Sequence, residues 1–354
     1  MNPNHLKTYI ASVATATPPY SIHQPTAHAF LEKNYSEKLS PKSLSIMRKI
    51  FAHPAIHRRN VTFDTPDILA REDTDGRMAR FEKWSVELSA QAAREAMRKA
   101  GVSNQDVQGI VVNTCTGYLC PGISTYLIER LDLPKQTKAY DLVGSGCGGA
   151  LPNLEVSSSI MNGNFRKVVL SVSVEICTAT FQMGDDLSLI ISNALFGDGA
   201  AAAVLWRREE GVELVDSANI YVPEQREAVR YVYKKGDLHN QLSNRLPEML
   251  QTAVASVMKT LLERHSLKVP DIKHWAIHTG GDKIITAIQN ELGLTEEQVK
   301  PTRDILYKYG NMSSPTVWFV VEELLRNGVE KDDWIMGIAF GAGLSVHAFL
   351  LKKK

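Results

Sequence analysis

The sequence predicts an α/β fold, because β-branched apolar runs of strand length alternate with longer stretches of helical periodicity. VQGIVVNTC at 107–115, TKAYDLV at 137–143 and RKVVLSVSVE at 166–175 read as strands, with helical patterns through TYLIERLDL and after GCGG between them. A second observation is a faint internal repeat: glycine-rich turns in ALFGDGAAAAVLW at 194–206 and GIAFGAGLSVHAFLL at 337–351 each lead into an apolar strand. These two turns close the two halves of the chain in similar fashion. The segment VPEQREAVRYVYKKGDLHNQLSNRLPEML between them is polar and weakly patterned, which sets the boundary near residue 210 and divides the chain into 1–210 and 211–354.

With 354 residues, 44% of them apolar and 22% charged, the chain buries a large core. Lys and Arg number 40 against 39 Asp and Glu, a balance that supplies no global field for nucleic acid or an anionic membrane. Any anionic ligand must then be held by a local patch. The first twenty residues lack a charged stretch followed by a long apolar run, and no later run reaches membrane-spanning length, so a cytoplasmic protein is expected. The four cysteines at 115, 120, 147 and 177 form no CxxC and have no His pair at zinc spacing; neither a metal site nor a disulfide framework is expected.

Cys147 is the candidate nucleophile. It follows a short strand and a glycine turn and stands where the next helix begins, where backbone N–H groups and the helix dipole favour a thiolate. Gly146, Gly148 and Gly149 leave room for a substrate. The same glycines suggest a rival, since Gly144, Gly146 and Gly149 spell GxGxxG and Glu175 ends the next strand, as in a dinucleotide site. The acidic residue is 26 positions from the last glycine, which is long for that motif. Two further residues fit a thiol enzyme: His278 in HWAIHTGGDKII and Asn311 in KYGNMSSPTVWF, each read as sitting where a strand meets a turn. A base beside a thiol activates it, and an imidazole with an amide N–H stabilises an enolate oxygen.

The strings ATATPP, GCGGA, LFGDGAAA, HTGG, YGNMSS and FGAGL occur in order and at approximate spacing over residues 8–350. In this the chain resembles the type III polyketide synthases of the chalcone and stilbene synthase family. The resemblance implies a thiolase-like fold, a duplicated αβαβα layering, a homodimer, and a Cys147, His278 and Asn311 triad. It further implies that an acyl group moves from CoA to Cys147 and is extended with malonyl-CoA, CoA thioesters being substrates and no cofactor being needed. Phe196 matches the family's gating phenylalanine, and Thr180 and Ser313 match substrate-lining positions. In RKIFAHP, Arg48, Lys49 and His53 match the segment that holds CoA phosphates, Lys49 and His53 lying four apart on one helix face; Lys283 is a weaker candidate at the same mouth.

Several positions depart from the plant enzymes. Cys115 and Cys177 stand where chalcone synthases carry threonine, Cys120 matches the residue that reaches the partner's cavity, and Asn240 falls near a second aromatic gate. Thr279 and Ala342 replace prolines of the family. EICTATFQ with DLSLIISNALF is closer to bacterial members. These changes imply a slimmer lining and a fatty acyl starter, with pyrone or resorcinol-like products. A single-condensation enzyme like ketoacyl synthase III is the near alternative; a papain-like hydrolase and an NAD-dependent oxidoreductase are those from other classes.

Overall fold

The structure is a computed structural model that describes residues 7–161, 168–234 and 236–354. In chain order its strands are β1 (Thr8–Ala16), β2 (Tyr20–His23), β3 (Arg58–Val61), β4 (Val107–Asn113), β5 (Lys138–Leu142), β6 (Val168–Ile176), β7 (Asp198–Trp206), β8 (Val212–Tyr221), β9 (Val229–Lys234), β10 (Asp237–Leu242), β11 (His274–Ile277), β12 (Trp334–Gly341) and β13 (Ser345–Lys353). The helices are α1 (Gln24–Tyr35), α2 (Pro41–Phe51), α3 (Ile68–Arg71), α4 (Thr74–Ala100), α5 (Ile123–Arg130), α6 (Ala150–Ile160), α7 (Leu187–Leu195), α8 (Leu246–Arg264), α9 (Asp282–Leu292), α10 (Glu296–Tyr309) and α11 (Thr316–Arg326).

Nine strands form one sheet in the order β11-β12-β13-β8-β1-β7-β6-β4-β5. A short pairing of β1 with β8, from Thr8 opposite Leu214 to Ile10 opposite Val212, joins two similar sets. In the first, β4 and β6 are parallel while β6–β7 and β7–β1 are antiparallel. In the second, β11 and β12 are parallel while β12–β13 and β13–β8 are antiparallel. The duplication suggested by the glycine turns is therefore present in the pairing. It makes the end of β4, before Cys115, the counterpart of the end of β11, before His278.

Period-two alternation along the strands sets the layers. On β12, Ile335 and Ala339 pack inward with Val317, Val320 and Val321 of α11, whereas Met336, Ile338 and Phe340 face α8 and α9. On β7, Ala201, Ala203 and Leu205 share that inner cluster with Leu151 and Leu154 of α6, and Ala200, Ala202 and Val204 face α4. The result is five layers: α4 with α5, one strand set, α6 with α11, the second strand set, and α8 with α9. This is the thiolase-like αβαβα arrangement.

The long helix α4 begins at Asp73, whose carboxylate accepts the Gly76 N–H at 2.9 Å, and ends at Gly101 in the left-handed region. Its buried Ala90, Ala92, Ala93 and Ala96 allow close approach to the alanines of β7. Among the described residues no helix is long and apolar enough to cross a membrane.

The inner face of β6 is polar. Ser171 and Ser173 donate to Asn153 and Asn113 at 2.7 Å each, and Glu175 continues this row toward the segment before α11. Residues 229–234 and 237–242, for which the sequence indicated no regular structure, form a ribbon of β9 and β10 with Tyr231 opposite Asn240.

Candidate active site

A cavity of about 1430 Å³ opens at the segments that follow β4, β5, β11 and β12, and Cys147, His278 and Asn311 all line it. Cys147 lies in the 3-10 turn Gly146–Gly149 just before α6. That turn packs backbone to backbone on the FGAGL loop: a Cβ on Gly341 would lie 2.3 Å from the Ser145 carbonyl, so only glycine fits there. Burial pushes the Cys147 thiol up to about 12, while the Ser313 hydroxyl, its own backbone N–H and the Asn311 amide pull the other way. The sequence suggests a lowered thiol pKa at a helix start; enclosure reverses that expectation.

His278 follows β11 directly, and its N–H donates to the Ile338 carbonyl at 2.8 Å. The ring packs edge-on to Phe340 with centroids 5.0 Å apart. Both ring nitrogens are buried without a partner, and burial lowers the imidazole to about 3, so it is neutral. Asn311 was expected after a strand, but it follows helix α10. Gly310, at φ 70°, turns the chain where a side chain would meet the Leu195 carbonyl at 2.6 Å. Asn311 then pairs with the Phe196 region, donating to Leu195 and accepting from Gly197 at 2.9 Å each. Its side-chain oxygen accepts the Ser313 N–H at 2.7 Å, which leaves the NH2 group facing Cys147.

Behind the three stands Glu175, fully buried. Its Oε2 accepts from Thr114 Oγ1 at 3.1 Å, the Cys115 N–H at 2.9 Å and Thr116 Oγ1 at 2.9 Å. Its Oε1 accepts from Ser313 at 3.3 Å and Ser314 at 2.7 Å. Burial nonetheless raises its carboxyl, because the donors only partly offset desolvation. Engaged on both oxygens, Glu175 is unavailable to a ribose, which removes the basis of the dinucleotide reading. Its role was missed in the sequence; a lone carboxylate on the Ser-bearing face of an apolar strand was the signal.

Phe196, Thr180, Asn240, Ser313 and Cys115 also line the cavity, and Cys115 Sγ lies 3.5 Å from Ser313 Oγ. Lys49, His53 and Lys283 lie on its wall. Helix α2 ends at Phe51, however, so His53 is beyond it and does not share a helix face with Lys49. Arg48 is absent from this wall; its guanidinium pairs with Glu32 at 2.6 Å on the surface. Cys120 is exposed and outside the wall, and Cys177 is buried behind it, in a side pocket of about 50 Å³ shared with Thr180, Phe196 and Asn240. Nor is the lining slimmer at Asn240: its cross-strand neighbour Tyr231 is half-buried and lines the cavity too, with its hydroxyl 3.3 Å from Thr180 Oγ1. Alternation in VRYVY was the available signal for it. Among the described residues no three His, Cys, Asp or Glu side chains gather as metal ligands.

Residues 3–272 match the family model described as FAE1/type III polyketide synthase-like protein, and residues 213–353 match that of the chalcone and stilbene synthases, C-terminal domain. The chain is 28% identical to the 3,5-dihydroxyphenylacetyl-CoA synthase of Streptomyces toyocaensis over 96% of its own length and 92% of that protein's. It is 26% identical to an alpha-pyrone synthesis polyketide synthase-like protein of Mycobacterium tuberculosis, covering 96% and 90%. The crystal structure of PKS-I from the brown alga Ectocarpus siliculosus superposes with a TM-score of 0.90 at 26% identity, covering 100% of both chains.

Proposed function

Since the chain belongs to the FAE1/type III polyketide synthase-like family and is a type III polyketide synthase, we propose that it extends a fatty acyl-CoA starter with malonyl-CoA through a thioester on Cys147. The observation that carries this reading is the convergence of Cys147, His278 and Asn311, from three separate chain segments, on one cavity. The Cys147 sulfur attacks the starter thioester and CoA leaves as its thiol, with His278 taking the cysteine proton. Malonyl-CoA then loses CO2, and its enolate oxygen is held by the NH2 group of Asn311 that faces Cys147 and by the unpartnered imidazole of His278. The enolate carbon attacks the acyl thioester, and repetition followed by cyclisation gives a pyrone or resorcinol-like product.

Support for an alkyl starter comes from the side pocket behind Cys177, whose walls include Ile22, Phe30, Leu31, Val61 and Leu69. Lys49, His53 and Lys283 on the cavity wall are the proposed contacts to CoA phosphates, and no added cofactor takes part. We further propose a cytoplasmic homodimer. The end strand β5 leaves Tyr140 exposed, and Val143 directly after the strand is exposed as well, an uncovered edge of the kind a second copy closes. The deciding assay incubates the enzyme with malonyl-CoA and a panel of acyl-CoAs and identifies products by mass. Malonyl-dependent chain extension is expected; release of free acid without malonyl-CoA consumption would identify a hydrolase instead, and a single extension a ketoacyl synthase.

A further inference from the structure

We propose that Arg77 forms an anion-receiving subsite inside the cavity and that the starter's acyl chain therefore ends in a carboxylate. The proposal rests on the acyl-CoA condensation reading and specifies its substrate class.

Arg77 lies on α4 and lines the cavity. Its side chain is only 15% exposed, against 72% for Arg226 and 40% for Arg230 on the same wall. Lys49 and Lys283 are exposed as well. Those outer cations suit the phosphates of CoA, which stay near solvent. Arg77 is the enclosed one, and the part of an acyl-CoA that passes inward is the acyl chain.

The guanidinium is underused. A guanidinium offers five N–H donors, yet the ion pair of Arg77 with Asp237 spans 3.5 Å from Nη1 to Oδ1, beyond ordinary N–H···O range. Its Nε is buried with no partner. Two buried arginines show what a structural guanidinium looks like in this protein. Arg80, one turn further along α4, holds Glu72 through Nε and Nη2 at 3.0 and 2.7 Å and also bonds Thr62 and Thr178. Arg59 donates to Gln24 at 3.1 Å and to the Phe196 carbonyl at 2.8 Å. Both are committed to protein acceptors through more than one nitrogen, and Arg77 is not.

Asp237, at the start of β10, also accepts from Thr74 Oγ1 at 3.0 Å, so α4 holds it in place without a close bond to Arg77. Nη1 and Nη2 of Arg77, unlike the enclosed Nε, are then the fork available to an incoming carboxylate, which suits paired donors of this geometry. Through Arg80 and Thr178 the same helix is fixed to the 177–180 segment, whose Thr180 meets Tyr231 in the cavity. An alkyl chain leading from Cys147 past these residues and ending in a carboxylate satisfies both the apolar wall and a cation that Asp237 holds only loosely.

The test compares decanoyl-CoA with the mono-CoA thioester of decanedioic acid, which has the same carbon number. Two readouts are taken: malonyl-dependent kcat/KM, and acyl loading of Cys147 by intact-protein mass without malonyl-CoA. Wild type should favour the carboxylated thioester by about tenfold or more, and the ratio should collapse in Arg77→Met but be largely kept in Arg77→Lys. Asp237→Asn, which removes the competing carboxylate, should raise the ratio and serves if Arg77→Met does not fold. A wild-type preference for decanoyl-CoA, or a ratio unchanged in the variants, overturns the subsite. Selective loading without any malonyl-dependent product would support the subsite while refuting the condensation reading.

Discussion

The side-chain oxygen of Asn311 accepts the backbone N–H of Ser313 at 2.7 Å, and this fixes which end of the amide faces Cys147. The proposed condensation requires a donor there, and the loop geometry selects it: Ser313 sits at φ 58°, a left-handed conformation uncommon for serine, so its N–H turns back on Asn311. Asn311→Ala should slow malonyl-CoA decarboxylation by about 100-fold, a typical loss for one oxyanion donor. Asn311→Asp should be worse than alanine, because its carboxylate keeps the Ser313 contact but presents an acceptor to the enolate. Measured decarboxylation rates in that reverse order would contradict the orientation.

Glu175 links the two halves of the site, since Cys115, Thr114 and Thr116 bind one oxygen and Ser313 and Ser314 the other. Glu175→Gln keeps the size but replaces an acceptor with an NH2 group. The Cys115 N–H cannot rotate away, so the amide must turn its NH2 toward the two serines, whose hydroxyls must reorient. We expect a loss of about 1–3 kcal/mol in chemical denaturation, together with slower decarboxylation as Ser313 shifts. Unchanged stability and activity would show that the carboxylate is dispensable.

Cys147 and His278 are both driven toward neutrality by burial, the thiol up to about 12 and the imidazole down to about 3. Raising an acid's pKa removes the thiolate, and lowering a base's pKa removes the imidazolium; the resting pair is uncharged throughout the physiological range. Proton transfer then belongs to the substrate complex. Iodoacetamide inactivation, which follows the thiolate, should rise about tenfold per pH unit above neutrality. A rate plateau that begins below pH 7 would instead reveal a preformed ion pair.

The layers, and the candidates Cys147, His278 and Asn311 that share one cavity wall, were legible because both have local signatures. Period-two alternation on β12 and β7 and glycines at Gly341 and Gly310 are short-range constraints, readable one segment at a time. The ribbon of β9 and β10 was not readable for the same reason. Its residues are mostly half-buried, so neither face is continuously apolar and the period fades. Arg48 and Lys49 look alike in sequence, and only the position of Glu32 on α1 separates the surface pair from the cavity wall. Arg77 has no signature at all, because what distinguishes it from Arg80 is a set of partners drawn from distant segments.

Starter length is the remaining discriminator, and it follows from where Cys177 lies. The thiol fills one wall of a side pocket of about 50 Å³ that shares Thr180, Phe196 and Asn240 with the main cavity, so an alkyl chain threading past Thr180 enters it. Each methylene buried there adds up to about 0.8 kcal/mol. Wild-type efficiency should therefore climb from hexanoyl-CoA to decanoyl-CoA and level off once the pocket is full. Cys177→Trp overfills the space and should shift the optimum to shorter chains. Cys177→Leu, a milder change at a buried site, should do the same by a smaller step if the tryptophan variant is unstable. Palmitoyl-CoA and 4-coumaroyl-CoA complete the series. Should 4-coumaroyl-CoA prove best, with efficiency falling beyond hexanoyl-CoA, the alkyl starter is wrong; the ring would then pack against Tyr231, and the roles of Cys147, His278 and Asn311 would stand on their own tests.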